Sequence, residues 1–241
     1  MSDQRYLDDP YLRTTSADVT AAADGCCALS QTVFYPGGGG QYSDRGNLLV
    51  GAEVIPVSEV REDEGGRIWH RIGRHLAPGT AVEAVIDWPF RYAMMRHHAL
   101  LHVVNTVARD HYEAVMTGCQ LGAERSRIDF KLPAFSREQL TTFEQRVNDV
   151  IERCLEVTSS VIEEAEFRRR PELVRTLNVA PPVVDGKIRI VTMAGFDSQA
   201  CRGTHVHSTT EIGLARLVKF DNKGKDNKRF YWEVAPAGPD A

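Results

Sequence analysis

The rhythm of apolar and polar positions changes once along the chain. Up to Ile86, apolar runs are short and broken by turn residues: Cys26 to Phe34, Asn47 to Val50, Val54 to Val60, Ile68 to Ile72 and Val82 to Ile86. Runs of this kind read as strands, with Pro36 and Gly37 to Gly40, Asp63 to Gly66 and Pro78-Gly79 as the turns between them. They predict a small antiparallel β-barrel or sandwich. From Arg91 to Met116 there is no Pro or Gly, and Met94, Leu101, Val104, Ala108, Tyr112 and Val115 recur at helical spacing. This predicts the first long helix. Gly118 and Gly122 end or follow it, and Ser126 to Leu132 alternates as a strand.

A second helix follows Ser136-Arg137-Glu138-Gln139, a capping box with Ser136 as N-cap. Its apolar stripe is Leu140, Phe143, Val147, Val150, Ile151 and Cys154. Strands are predicted at Val157 to Ala165, Ile188 to Met193, Ile212 to Phe220 and Arg229 to Val234. Pro171 opens a short helix ending near Asn178. Asp221 to Lys228 is a polar turn that makes the last two strands a hairpin. The fold class expected is α+β, with a barrel-like domain over residues 1–88, carrying the glycine-rich loop, and a mixed domain over residues 89–241.

Length and composition agree with packed domains. The chain has 241 residues, is 42% hydrophobic and carries a formal net charge of −4. That charge neither requires nor excludes nucleic acid, because a local basic groove can sit on an acidic protein. No apolar run reaches the roughly 18 residues that span a bilayer. The N-terminal MSDQRYLDDP lacks an apolar signal core. The expected location is therefore the cytoplasm, with no membrane partner. Two basic stretches, Arg168-Arg169-Arg170 with Arg175, and Lys219, Lys223, Lys225, Lys228 and Arg229, stand as candidate phosphate contacts or as solvated surface.

Five cysteines, at positions 26, 27, 119, 154 and 201, are an odd and irregular set that does not suggest a disulfide framework. Cys154 reads as a small core hydrophobe, and Cys26-Cys27 as core filling at a strand start rather than metal binding. Cys201 differs because of its neighbours. His98 and His102 lie four apart on the predicted helix, so both imidazoles project from one face. Cys201 and His205 lie four apart in Cys-Arg-Gly-Thr-His, where Gly203 lets the loop turn back. Together the pairs offer a His3Cys donor set that suits one zinc ion. Spacing leaves this reading balanced against coincidence, since His97 and His111 also lie on that helix. Asp197 is a candidate to hold the second nitrogen of a ligand histidine.

Three motifs carry a resemblance. Met95-Arg96-His97-His98-Ala99-Leu100-Leu101-His102 resembles the H-T-x-x-H motif of the alanyl-tRNA synthetase editing domain. Cys201-Arg202-Gly203-Thr204-His205-Val206 resembles its C-x-G-T-H-V motif, continued by Thr209, Glu211, Ile212 and Gly213. Phe34-Tyr35-Pro36 through Gly38-Gly39-Gly40-Gln41, with Asp44 and Gly46, resembles its F-Y-P-x-x-G-G-Q-x-x-D-x-G loop. The chain has no room for aminoacylation and anticodon-reading domains, so it resembles the free-standing AlaX editing proteins of medium length. The resemblance implies zinc at His98, His102, Cys201 and His205, and hydrolysis of mischarged seryl-tRNA(Ala), or glycyl-tRNA(Ala), to free serine or glycine. Gln41, His98 and His102 become the candidates for catalytic roles, and Gly38, Gly39, Gly40, Gln41 and Thr204 for substrate binding. Ala99, Arg202 and His207 depart from the usual residues and bear on specificity. Two other readings stay open: a non-catalytic zinc-stabilised module that binds tRNA or a synthetase, and a deacylase of another tRNA such as seryl-tRNA(Thr).

Overall fold

Alternating burial builds the strands of the first unit. In Ala81–Ile86, Val82, Ala84 and Ile86 are buried while Ala81 and Glu83 are exposed, the period of two that puts one face on a core. The computed structural model describes residues 2–133, 135–175, 181, 183–224, 226–236 and 238. The chain divides into two compact units, Met1–Tyr92 and Ala93–Ala241. Among the described residues, no helix is long and apolar enough to cross a membrane.

In the first unit seven strands form one antiparallel sheet: β1 (Thr14–Ala23), β2 (Cys26–Leu29), β3 (Gly46–Val50), β4 (Glu53–Val57), β5 (Glu59–Glu62), β6 (Ile68–Arg71) and β7 (Ala81–Ile86), in the order β4-β3-β7-β1-β2-β6-β5. A barrel was the expectation, but the described residues contain no closing ladder. The sheet is open, with β4 and β5 as its edges. These edges follow one another in sequence with only Ser58 between them, so the sheet curls to bring them near without pairing them. Pro56, which has no N–H to donate, sits in edge strand β4 as edge proline does. Cys26 and Cys27 are buried in β2, as core filling requires. Two strands differ from the sequence reading. β1 has no long apolar run and was not anticipated, and the Val54 to Val60 run is two strands rather than one.

A buried ion pair ties the glycine-rich loop to this sheet. Asp44 accepts from the backbone N–H of Tyr35 at 2.6 Å and from Arg91 Nε at 3.0 Å, and a second guanidinium nitrogen lies against the same carboxylate. The remaining Arg91 donors reach the carbonyl oxygens of Pro10 at 3.0 Å and Val33 at 2.6 Å. Both side chains are essentially inaccessible, at 0% and 1%. Gly46, two residues on, lies so close to β7 that a Cβ would run into the carbonyl of Val85. Thus Asp44 and Gly46 of the third motif act as structure.

α1 (Trp88–Tyr112) opens in the first unit and continues into the second. Every residue from Met94 to Ala108 is buried, so the predicted stripe is only part of an all-round burial. The helix stops at Tyr112, short of Met116, where Glu113 adopts φ 54°. β8 (Val115–Gln120) then leaves in place of a further turn. It pairs with β9 (Ser126–Lys131). With β13 (Ala215–Asn222) and β14 (Asn227–Val234), these form a sheet ordered β8-β9-β14-β13. α2 (Leu140–Ile151) lays Phe143, Val147, Val150 and Ile151 inward, and Phe143 packs edge-on against Phe230 and Trp232 of β14 at 5.3 and 5.6 Å. Cys154 is not core: the helix has ended, its φ is 54° and the residue is exposed. A second sheet, β10 (Val157–Glu163), β11 (Lys187–Met193) and β12 (Asp197–Ala200), is ordered β10-β11-β12. β13 starts at Ala215 because Thr209–Ile212 is a capped turn followed by Gly213 at φ 72°. Pro171–Leu173 form one short turn, and the helix end expected at Asn178 lies outside the described residues.

Removing one partner of the Asp44–Arg91 pair leaves a buried charge uncompensated. Asp44→Asn and Arg91→Met should each lower unfolding stability by about 3–5 kcal/mol. Urea denaturation measures this; a loss below about 1 kcal/mol for both would show that the pair is not what anchors the loop.

Candidate metal centre

Two elements bring four donor atoms together. His98 and His102 project from one face of α1, 6% exposed each. Cys201 directly follows β12 and prolongs its pairing, its N–H donating to the Arg189 carbonyl at 3.0 Å. His205 lies four residues further on, 4% exposed. Cys201 Sγ stands 3.4 Å from His98 Nε2 and 3.7 Å from His205 Nε2, and His205 Nε2 stands 3.2 Å from His102 Nε2. All four donors lie within 4.8 Å of one another, a group able to hold a metal ion. A tetrahedral ion with bonds of about 2.0–2.3 Å has ligand-to-ligand edges of roughly 3.3–3.7 Å, close to the three edges at 3.2, 3.4 and 3.7 Å.

The rings are set for that role. His205 Nδ1–H donates to the carbonyl of Gly203 at 3.1 Å, which turns Nε2 inward and fixes the tautomer. Burial, first among the causes, holds His98 and His205 well below the ordinary imidazole range and pushes His102 down to about 3. The Arg189 charge adds to the shift in all three rings. Neutral imidazole is the form that binds a metal. Burial pushes the Cys201 thiol up to about 11, opposed by a backbone hydrogen bond at Gly203 and by Arg189.

Four residues that the spacing did not single out position the second pair. Arg189 of β11 donates through Nη1 to the carbonyls of Cys201 and Gly203, each at 3.0 Å. Arg96, two residues before His98, donates to the carbonyls of Glu211 at 2.9 Å, Ile212 at 2.7 Å and Ala235 at 2.6 Å. The Glu211 carboxylate caps the N–H groups of His207 and Ser208 at 3.0 Å. Thr209 donates to the Ile151 carbonyl at 3.0 Å and accepts from Leu155 N–H at 2.9 Å. Arginines beside a histidine motif were the available signal, but sequence gives no distance across about a hundred positions.

Over 239 residues, covering 98% of this chain and 100% of the relative, the sequence is 34% identical to alanyl-tRNA editing protein AlaX-M of Saccharolobus solfataricus. It is 35% identical over 241 residues to AlaX-M of Methanosarcina barkeri, across 97% of this chain and 99% of that one. The chain belongs to the AlaX family of alanyl-tRNA editing proteins. Residues 188–231 match the family described as the threonyl and alanyl tRNA synthetase second additional domain. The alanine–tRNA ligase of Staphylothermus marinus is 36% identical over 221 residues, 89% of this chain but 24% of the ligase. An AlaX chain thus corresponds to a segment of that larger protein.

Other candidate residues of this AlaX chain fall as follows. Ala99, Thr204 and His97 are fully buried, and His97 is not among the four converging donors. Burial and the neighbouring Arg96 push His97 down to about 4. Asp197 does not hold a ligand ring. Its carboxylate takes Arg175 at 2.9 Å and Gln199 at 2.6 Å, because the β12 direction aims it at those donors. In the first unit, Gly37 to Gly40 all have positive φ, and Gly38 and Gln41 exchange backbone hydrogen bonds at 3.0 Å around Gly39-Gly40. Tyr35 Oη donates to the Gly38 carbonyl at 3.0 Å. The loop is therefore a tied turn that only glycine fits, and Gln41 is 3% exposed.

With the rings already neutral and only the thiol protonated, metal binding should release one proton. A Co2+ absorbance titration should show apparent affinity rising about tenfold per pH unit between pH 6 and 8. Cys201→Ala should flatten that dependence. A slope of two or more in the native protein would contradict this reading of the rings.

Proposed function

We propose that the chain is a free-standing aminoacyl-tRNA deacylase that hydrolyses seryl-tRNA(Ala), and also glycyl-tRNA(Ala), to tRNA and free amino acid. One zinc ion held by His98, His102, Cys201 and His205 belongs to the site, and the protein works in the cytoplasm. The observation that carries the reading is the His3Cys cluster whose four donor atoms lie within 4.8 Å of one another, in a chain that aligns end to end with editing proteins. Zinc, when bound, would supply a fixed positive charge near the scissile ester. Four protein donors complete a tetrahedron, which favours an ion that organises the pocket.

The chain's own residues do the rest. Water attacks the carbonyl of the aminoacyl ester and the ribose hydroxyl leaves. His98 and His102, held neutral, orient the reacting end. Gly38, Gly39, Gly40, Gln41 and Thr204 bind the amino acid, Gln41 offering both a donor and an acceptor. Pairing with the serine hydroxyl spares alanine, whose methyl leaves those groups unpaired. Glycine has no hydroxyl to pair, so this contact accounts for serine alone.

Incubation with seryl-, glycyl- and alanyl-tRNA(Ala), and with seryl-tRNA(Thr), with and without a chelator, tests the proposal. Serine and glycine should be released from tRNA(Ala), alanine spared and seryl-tRNA(Thr) left largely intact. Gln41→Ala should narrow the preference for serine over alanine roughly tenfold, about the worth of one hydrogen bond. No release from any substrate would leave a binding module and sink the hydrolase. Equal release from seryl-tRNA(Thr) would move its specificity.

A further inference from the structure

Most cations of the two basic stretches are already partnered within the chain. Arg168 pairs with Glu164, Arg170 with Glu166 and Glu172, Arg175 with Asp197, Lys219 and Lys223 with Asp221, and Arg229 with Asp129. Lys225 lies outside the described residues. A different set of cations lines a cleft elsewhere in the second unit. This cleft of about 440 Å³ is lined by His111 at the end of α1 and by Thr142, Gln145, Arg146, Asp149, Val150 and Arg153 on and just beyond α2.

Among the described residues, neither Arg146 nor Arg153 forms an ion pair. Arg146 Nη1 donates to His111 Nδ1, and the Arg153 guanidinium lies 5.7 Å from the centre of the Phe196 ring. The one carboxylate in the lining is Asp149, so the cleft keeps an excess of positive charge. Arg146 and Arg153 are seven apart on or just past one helix, and their guanidinium groups mark out a line rather than a point. Phe196 immediately precedes β12, the strand that Cys201 follows. Phe196 adjoins Asp197, which holds Arg175 and lies 4.0 Å from Arg109 of α1.

We propose that this cleft binds the backbone of the single-stranded 3′ end of tRNA, with phosphates at Arg146 and Arg153 and a base stacked on Phe196. The inference rests on the deacylase reading, which puts the terminal ester at the metal centre. His111 lies nine residues beyond His102 on α1, roughly 14 Å at about 1.5 Å per residue. Stacked nucleotides advance about 3.4 Å each, so the near wall of the cleft, at His111, lies about four stacked nucleotides from the ester. That reach meets the unpaired tail before the double-stranded stem. Cations along a groove with a half-buried ring beside them are the chemistry that holds single strands without reading sequence.

Binding of uncharged tRNA(Ala), followed by filter retention across a salt series, tests this without catalysis. Arg146→Gln and Arg153→Gln should each weaken binding about fivefold and each reduce the log–log salt slope by about 0.7. Phe196→Ala should weaken binding without changing the slope. Arg216→Gln, which removes a charge from β13, should leave the slope as it is. A tRNA lacking its last four nucleotides should bind wild type weakly, with no further loss in R146Q or R153Q. Thermal midpoints and Co2+ binding check that each variant is folded, and Arg146→Lys and Arg153→Lys should retain the slope. The inference is overturned if R146Q and R153Q bind like wild type, as they would if a protein partner covered the cleft. It is overturned too if they lose the same affinity for truncated tRNA, or if no tRNA binds. A protein that binds tRNA through this cleft but releases no amino acid would keep this inference and lose the hydrolase. Release of serine with R146Q and R153Q unimpaired in binding would do the reverse.

Discussion

Three imidazoles and a thiol, buried with their donor atoms within 4.8 Å of one another, set the terms for the second unit. Groups of this kind are costly to bury without strong partners. They converge only if α1 and the segment from Cys201 to His205 are held in register, although 103 positions separate His98 from Cys201 and His102 from His205. The arrangement of the surrounding residues follows from that requirement. α1 is buried on every side from Met94 to Ala108, which restricts its movement. The loop that carries Cys201 and His205 is fastened at both ends.

The fastenings are cations directed at carbonyl oxygens. Arg189 holds Cys201 and Gly203, and Arg96 holds Glu211, Ile212 and Ala235. A guanidinium has several donors in a rigid fork, so one side chain can fix two or three turns of backbone. The first unit uses the same device in Arg91, which holds Asp44, Pro10 and Val33. In each case an arginine on or near α1 or β11 replaces the regular ladder that loops lack. The motif residues Asp44, Gly46, Thr209 and Glu211 are therefore best understood as parts of these fastenings.

Charge shows how sequence neighbourhood and spatial neighbourhood part company. Arg168 to Arg170 and Lys219 to Arg229 look basic when read along the chain, but their acidic partners stand one helical turn away, two residues away in the chain, or on a neighbouring strand. His111, Arg146 and Arg153 look unremarkable in sequence, yet they gather in one cleft because α1 and α2 bring them together. A charge run predicts a binding face only when nothing across the fold answers it.

The sequence by itself indicated the α+β character and named the four donors, the donors through motifs that resemble a known family, because helical spacing and a Cys-x-Gly-Thr-His loop alone left them balanced against coincidence. It determined where most strands and both long helices fall, because burial follows period. It was weaker where period is absent or tertiary pairing overrides it. β1 has few strong apolar residues, β8 follows a helix whose pattern ran on, and Cys154 continued a stripe that its helix did not. Only the tertiary structure decided that the first sheet stays open among its described residues, that Asp197 serves Arg175, and that Arg96 and Arg189 hold the loop of Cys201 and His205. Those outcomes depend on distances between residues far apart in the chain, and local pattern contains no term for such distances.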